Sequence, residues 1–135
     1  MSHQKSYNLV RFGVNLFKTK AVIGGNIPRQ VGQVKLLADT GASFTIVPRL
    51  IISELGYDLT NPIRYQSITM GQGTTPPLPV IRLSWFNCLG QVIDNFDVIA
   101  YNIPTNLQVN GLLGMDFFSK FKTVISIHNA IIYFE

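Results

Sequence analysis

The sequence has little charge, a single cysteine and no long apolar segment. Only 13% of its 135 residues are charged, whereas soluble domains carry about 25%. Cys88 has no second cysteine with which to form an internal disulfide. No apolar run approaches the roughly 18 residues of a membrane helix, and the N-terminal segment lacks the apolar core of a signal peptide. We therefore expect a reducing, cytoplasmic setting, no membrane contact, and some apolar surface for a partner or a second copy.

The basic residues outnumber the acidic ones but form no run. Eleven lysines and arginines against seven aspartates and glutamates give a formal net charge of +4. These bases are scattered, whereas nucleic-acid-binding proteins usually concentrate them in one segment. The two histidines, the cysteine and the carboxylates show no spacing typical of a metal site. We expect no nucleic-acid partner, no metal and no cofactor.

Short apolar runs separated by glycine, proline and asparagine predict a mainly β fold with one or two short helices. The length predicts a single domain over residues 1–135, with residues 1–9 as a flexible N-terminus. The segments PRLIISELG at 48–56 and MDFFSKF at 115–121 predict the helices. Residues 65–86 predict a hairpin whose return arm carries three prolines, so this arm is expected at an edge or free of a central sheet.

The stretch LADTGASFTIVP at 37–48 places an aspartate between an apolar run and a glycine. Water is scarce at the end of a buried strand, so the charged carboxylate of Asp39 needs hydrogen bonds there. Gly41 can bring its amide close to that carboxylate, and the hydroxyl of Thr40 both donates and accepts. A held, partly desolvated carboxylate is a functional candidate because its proton affinity can be tuned. The simplest alternative is an ordinary turn aspartate that precedes a glycine.

A second stretch, NGLLGMDFF at 110–118, occurs once, as does the Asp-Thr-Gly tripeptide. Taken alone, Gly-Leu-Leu-Gly indicates core packing beside a turn. The glycines of the sequence Gly71-Gln72-Gly73 likewise indicate an ordinary hairpin turn when no other feature is considered. Their order along the chain is more specific than any one of these features.

Together, DTGA with its β-rich run, the glycine-bearing hairpin, and GLLG before a short helix resemble the retropepsin-like aspartic peptidases, single-domain relatives of pepsin. The resemblance covers about residues 10 to 135 and implies an acid protease barrel. Viral members usually have an acid where this chain has Ser43 and an arginine where it has Met115. The Met115-Asp116 pair is more similar to cellular and bacterial members, among them the DNA-damage-inducible type.

The resemblance implies roles for individual residues. Asp39 would be the catalytic carboxylate, Thr40 would join a hydroxyl network between two copies, and Gly41 would lie at the substrate backbone. The hairpin around Gln72 would be a flap that closes over the substrate, and the segment 112–114 would pass beneath the catalytic loop. The substrate-binding residues implied are Ala42, Ser43, Met70, Gly71, Gln72, Gly73 and Leu113.

One motif per chain implies a homodimer in which two Asp39 carboxylates activate a water that hydrolyses a peptide bond of a peptide or protein substrate. Two charges about 3 Å apart, at an effective dielectric of about 20, repel by roughly 5 kcal/mol, so the pair shares one proton. Two other functions stay open. One is a dimeric binding or assembly module without turnover, and the other is a small β-barrel that binds peptide or nucleic acid.

Overall fold

The computed structural model describes residues 5–71, 73–104 and 108–135, which form a mainly β fold with two short helices, as the sequence predicted. Helix α1 is Arg49–Glu54 and helix α2 is Met115–Phe118. Neither helix in this part of the chain is long and apolar enough to cross a membrane. The strands are β1 (Ser6–Asn8), β2 (Val10–Phe12), β3 (Leu16–Gly24), β4 (Val31–Ala38), β5 (Ile46–Val47), β6 (Arg64–Gln66), β7 (Thr69–Met70), β8 (Gly73–Thr74), β9 (Leu78–Cys88), β10 (Gln91–Ala100), β11 (Gly111–Leu113), β12 (Thr123–Ser126) and β13 (Ile131–Phe134).

Six strands close into a barrel in the order β3, β4, β11, β5, β10, β9 and back to β3. The barrel closes because β9 pairs with β10 along its length and with β3 near its end, from Ala21 opposite Cys88 to Ile23 opposite Phe86. Strands β2 and β6 extend this sheet. Strands β1, β13 and β12 form a separate three-stranded sheet, and β7 pairs with β8 in a short hairpin.

The apolar side chains form two separate clusters. The larger one fills the barrel, where the Phe86 ring lies 4.8 Å from Phe96 and 5.9 Å from Phe117 between ring centroids. Each fully buried side chain of this size contributes roughly 2 to 3 kcal/mol, so Phe117 anchors α2 firmly to the barrel. The smaller cluster consists of Ile46, Leu78, Val80 and Ile99.

Two expectations about the chain need correction. Residues 6–8 were expected in a flexible N-terminus, yet they form β1, which pairs with β13, and the adjacent Leu9 is buried. The pairing and the burial of Leu9 together hold this segment; residues 1–4 lie outside the described residues. In the proline-bearing arm, Pro76 and Pro77 stand outside any strand as predicted, but Pro79 lies in the central strand β9, opposite Tyr65.

Strand β11 is inserted between β4 and β5. It runs parallel to β4, with Gly111 opposite Leu36, and antiparallel to β5, with Leu112 opposite Ile46. A Cβ atom on Gly111 would overlap the backbone carbonyl oxygen of Ile46. Only glycine therefore lets the two backbones approach closely enough at this point.

We expect Gly111→Ala to lower the free energy of unfolding by about 3 kcal/mol, because the added methyl group meets backbone that cannot rotate away. Urea unfolding followed by circular dichroism measures this change. Gly71→Ala is the control, since a Cβ there meets no atom within 4 Å. Equal stability of the two variants would contradict the assigned packing of β11.

Candidate active site

Asp39 begins the turn that connects β4 to β5, and its backbone and its carboxylate are both held. Its N–H donates to the carbonyl of Leu113 over 3.0 Å, and its own carbonyl accepts from the N–H of Ala42 over 3.2 Å. The N–H of Gly41 donates to the Asp39 Oδ1 atom over 2.9 Å, as the sequence predicted. The half-buried carboxylate therefore has a fixed position and keeps its second oxygen atom, Oδ2, for another group.

Asp39 lies in a groove of about 470 Å³ between its own turn and the β7–β8 hairpin. The groove brings together predicted residues of both segments: Asp39, Gly41, Ala42, Ser43, Met70 and Gly71. It is also lined by residues for which the sequence predicted no substrate contact: Phe44, Ile46, Ser67, Ile68, Thr69 and Leu112. Four of these, Phe44, Ile46, Ile68 and Leu112, belong to or pack on the smaller apolar cluster. One wall of the groove is thus apolar, while Asp39 and Ser43 add polar groups.

The β7–β8 hairpin covers one side of this groove. Thr69 pairs with Thr74 and Met70 with Gly73, and the hairpin is closed by the N–H of Thr75, which donates to the Ile68 carbonyl over 2.9 Å. Gly73 belongs to the hairpin but does not line the groove, and its φ of +127° is one that other residues rarely adopt. Gln72, predicted at the tip, lies outside the described residues.

Two of the predicted residues point away from the groove. Leu113 is fully buried in the barrel core, and its neighbour Leu112 lines the groove instead, because successive side chains of a strand face opposite sides. The expected place of Leu113 at the groove is therefore wrong, and Leu112 occupies that place. Thr40 is exposed and lines a second depression beside Met115 and Phe118. Among the described residues, its hydroxyl has no hydrogen-bond partner.

Thr45 and Asp116 form a network, here called the Thr45 network, that joins the Asp39 turn to α2. The Thr45 hydroxyl donates to Asp116 Oδ1 over 2.7 Å, and the Thr45 N–H donates to Oδ2 over 2.8 Å. The same hydroxyl accepts from the N–H of Gly114 over 3.1 Å, and the N–H of Phe117 donates to Asp116 Oδ1 over 2.8 Å. The hydroxyl of the fully buried Thr45 thus both donates and accepts a hydrogen bond, as a buried polar group requires.

The electrostatics of Asp116 combine two opposing effects. Burial raises the pKa of this carboxyl, and the hydrogen bonds donated by Thr45 and Phe117 oppose the rise because they stabilise the ionised form. The sequence signal for the hydrogen-bonding role of Asp116 is an acid inside the apolar run GLLGMDFF. From the sequence, the Met115-Asp116 pair indicated only a difference from viral members of the family. In the part of the chain that is described, no group of three or more histidine, cysteine, aspartate or glutamate side chains could hold a metal ion.

We expect Thr45→Val to lower the free energy of unfolding by about 2 kcal/mol, because the buried N–H of Gly114 loses its acceptor. Chemical denaturation measures the loss. Thr60→Val is the matched control, because it also removes a hydroxyl bonded to an aspartate, Asp58, but at an exposed site. The Thr45 network would have no stabilising role if both variants unfolded at the same denaturant concentration.

Comparison with known proteins places this geometry in a family. The model of the aspartyl protease family matches residues 19–117, a range that includes the Asp39 turn, the hairpin and most of α2. The chain is similar to the crystal structure of a retropepsin-like aspartic protease from Rickettsia conorii, with a TM-score of 0.64 and 20% sequence identity. That match covers 98% of this chain and 91% of the other. At this identity the likeness concerns the fold alone.

No curated protein matches the sequence significantly. The family model nevertheless spans well over half of the chain. The chain therefore belongs to the aspartyl protease family and has the retropepsin-like fold.

Proposed function

We propose that this protein is an aspartic endopeptidase that acts as a homodimer, with one Asp39 from each copy. The observation that carries the proposal is the single carboxylate of the groove. All seven acidic residues of the sequence are described, and of these only Asp39 lines the groove. Hydrolysis of this type needs two carboxylates that share a proton, so a second copy has to supply the other.

The surface beside Asp39 supports this arrangement. The exposed Thr40 hydroxyl adjoins Met115, whose side chain is 40% exposed although it is apolar. The same depression extends to Phe118 and to β12, an edge strand of the three-stranded sheet. An edge strand presents unpaired backbone groups that a second chain can bond. A two-fold contact here buries Met115 and brings the two Asp39 turns together.

The proposed mechanism uses two chemically identical carboxylates in different protonation states. Repulsion between two charges keeps one proton on the pair, so one Asp39 is ionised and the other is protonated. The ionised member accepts a proton from a bound water, and the protonated member donates to the carbonyl oxygen of the scissile peptide. The water oxygen attacks the carbonyl carbon to give a tetrahedral intermediate, without a covalent bond to the enzyme. The C–N bond then breaks as the Asp39 that took the water proton passes it to the leaving nitrogen, while the other Asp39 regains a proton from a hydroxyl of the intermediate.

The groove also suits the proposed substrate. Its apolar wall favours a peptide with apolar side chains next to the scissile bond, and its volume of about 470 Å³ accommodates only a short part of such a chain. The β7–β8 hairpin would cover the bound peptide and exclude bulk water, which strengthens the electrostatic interactions of the carboxylate pair.

Asp39→Asn is expected to lower peptide hydrolysis at least about 1,000-fold, because an amide cannot accept the proton of the water. Cleavage of a denatured protein is followed over a range of pH, and circular dichroism checks that the variant is folded. Asp94→Asn is the matched control, since Asp94 is exposed on β10 and does not line the groove. Substantial cleavage by the Asp39 variant would reject the assignment, and a folded wild type without any cleavage would favour a binding module.

The shared site makes a further prediction about mixed dimers. When wild type is refolded with a threefold excess of Asp39→Asn, random pairing leaves about one quarter of the wild-type chains with a wild-type partner. Activity per wild-type chain should therefore fall to about one quarter. Refolding with the same excess of Asp94→Asn, which is itself an active chain, should leave the activity per total chain unchanged. Dilution of the wild type below its dissociation constant should also lower specific activity. A fully active monomer in sedimentation would overturn the homodimer.

A further inference from the structure

We propose that Lys18, Lys20 and Lys35 form a binding site for an acidic peptide segment on the outer face of strands β3 and β4. These three residues form the lysine face. Peptide binding at this face is separate from catalysis and requires no turnover. The proposal depends on where the barrel places the three side chains, because they are not adjacent in sequence.

The register of the two strands brings the lysines together. Lys20 on β3 lies directly opposite Lys35 on β4 in the antiparallel pair, and both are exposed. Lys18 stands two residues before Lys20, so the two side chains leave the same side of β3. Side chains that are directly opposite have their Cβ atoms about 5 Å apart. Three positive charges therefore occupy a small area.

These charges have no acidic partner among the described residues, which include all seven acids of the chain. The two ion pairs within the described residues both use Asp97, whose carboxylate pairs with Arg82 and Arg64 and not with a lysine. Lys18 donates over 2.7 Å to the side-chain oxygen of Gln108, and its ammonium group lies 5.2 Å from the centroid of the Phe12 ring. Both partners are uncharged, so no acid neutralises this ammonium group. Like charges that face each other across two strands destabilise a sheet. A bound anionic group would relieve this repulsion.

The shape of the surface favours a peptide over a nucleic acid. Two depressions of about 350 and 320 Å³ meet at Lys20 and Lys35, which line both. The first also contains Asn8 and Val10, and the Val10 side chain is 54% exposed. An apolar contact beside ammonium groups and side-chain amides suits a short segment with carboxylates and one apolar side chain. The lysine face extends over only about 7 Å of strand, whereas nucleic-acid binding usually draws on a longer basic surface.

The lysine face lies near the catalytic turn. Lys35 on β4 precedes Asp39 by four residues, which is about 13 Å of extended chain. Lys18 lies opposite Leu37, two residues before Asp39. If the proposed peptidase function holds, an acidic segment next to the scissile bond of a substrate would bind here and raise the affinity for that substrate. This last step rests on the proposed function, whereas binding of the segment does not.

The test measures binding in the Asp39→Asn variant, so that no peptide is cleaved and failure of the peptidase assignment leaves the result interpretable. Fluorescence anisotropy compares a labelled peptide of six glutamates and one leucine with the same peptide carrying glutamines. We expect the glutamate peptide to bind more tightly, with an affinity that falls as salt rises. Replacing the three lysines of the lysine face by glutamine should weaken binding of the glutamate peptide about tenfold. Each exposed charge pair changes the affinity about twofold, and three such pairs are lost together.

Two further variants act as controls. Lys5, Arg49 and Lys120 are exposed elsewhere, and their joint replacement by glutamine removes the same net charge, so binding should change less than about twofold. Replacing the lysine face by arginines keeps its charge and should retain binding. In addition, Lys20→Gln with Lys35→Gln should raise the melting temperature by about 2 °C in the free protein, because the cross-strand repulsion is removed.

Four results would overturn the proposal. The first is equal binding of the glutamate and glutamine peptides, and the second is equal weakening by the control triple variant. The third is loss of the fold in the glutamine variant of the lysine face together with lost binding in the folded arginine variant. The fourth is tighter binding of a single-stranded oligonucleotide than of the glutamate peptide to the same lysines, which would assign the surface to nucleic acid.

Discussion

The insertion of β11 between β4 and β5 is the constraint on which the rest of the structure depends. Its backbone completes the barrel, and the carbonyl of Leu113 at its end accepts the hydrogen bond that fixes the Asp39 backbone. This insertion requires close backbone contact at Gly111, where any side chain would meet the carbonyl of Ile46. A segment more than 70 residues further along the chain thereby determines where the carboxylate lies.

The site is also held by a polar connection between two apolar clusters. Phe117 fixes α2 in the larger cluster, while Ile46 and Leu112 belong to or pack on the smaller cluster that forms one wall of the groove. The Thr45 network joins these parts through the half-buried carboxylate of Asp116, whose hydrogen-bond donors offset some of the cost of burial. Rigid support of this kind would keep the proposed catalytic group, Asp39, in one position before a substrate binds.

Charge is distributed in a way that reflects the low charged content of the chain. With seven acids and 11 bases, most charged groups form no ion pair within the described residues, and the two ion pairs found there both use Asp97. Asp39 is left as a single carboxylate in its groove, while the three lysines of the lysine face lie together without an acid. The first arrangement is the basis of the proposed homodimer, and the second is the basis of the proposed acidic ligand.

The sequence by itself determined the mainly β class, the two short helices, and the local contact between the Gly41 amide and the Asp39 carboxylate. These features depend on local patterns, namely short apolar runs, turn residues and a tripeptide whose glycine lies two residues from the acid. Only the tertiary structure decided that Leu112 and not Leu113 lines the groove, that residues 6–8 pair with β13, and that Thr45 bonds Asp116. It also decided that Lys20 faces Lys35. Strand register and long-range pairing produce these contacts, and a shift of one residue would turn every side chain to the opposite face.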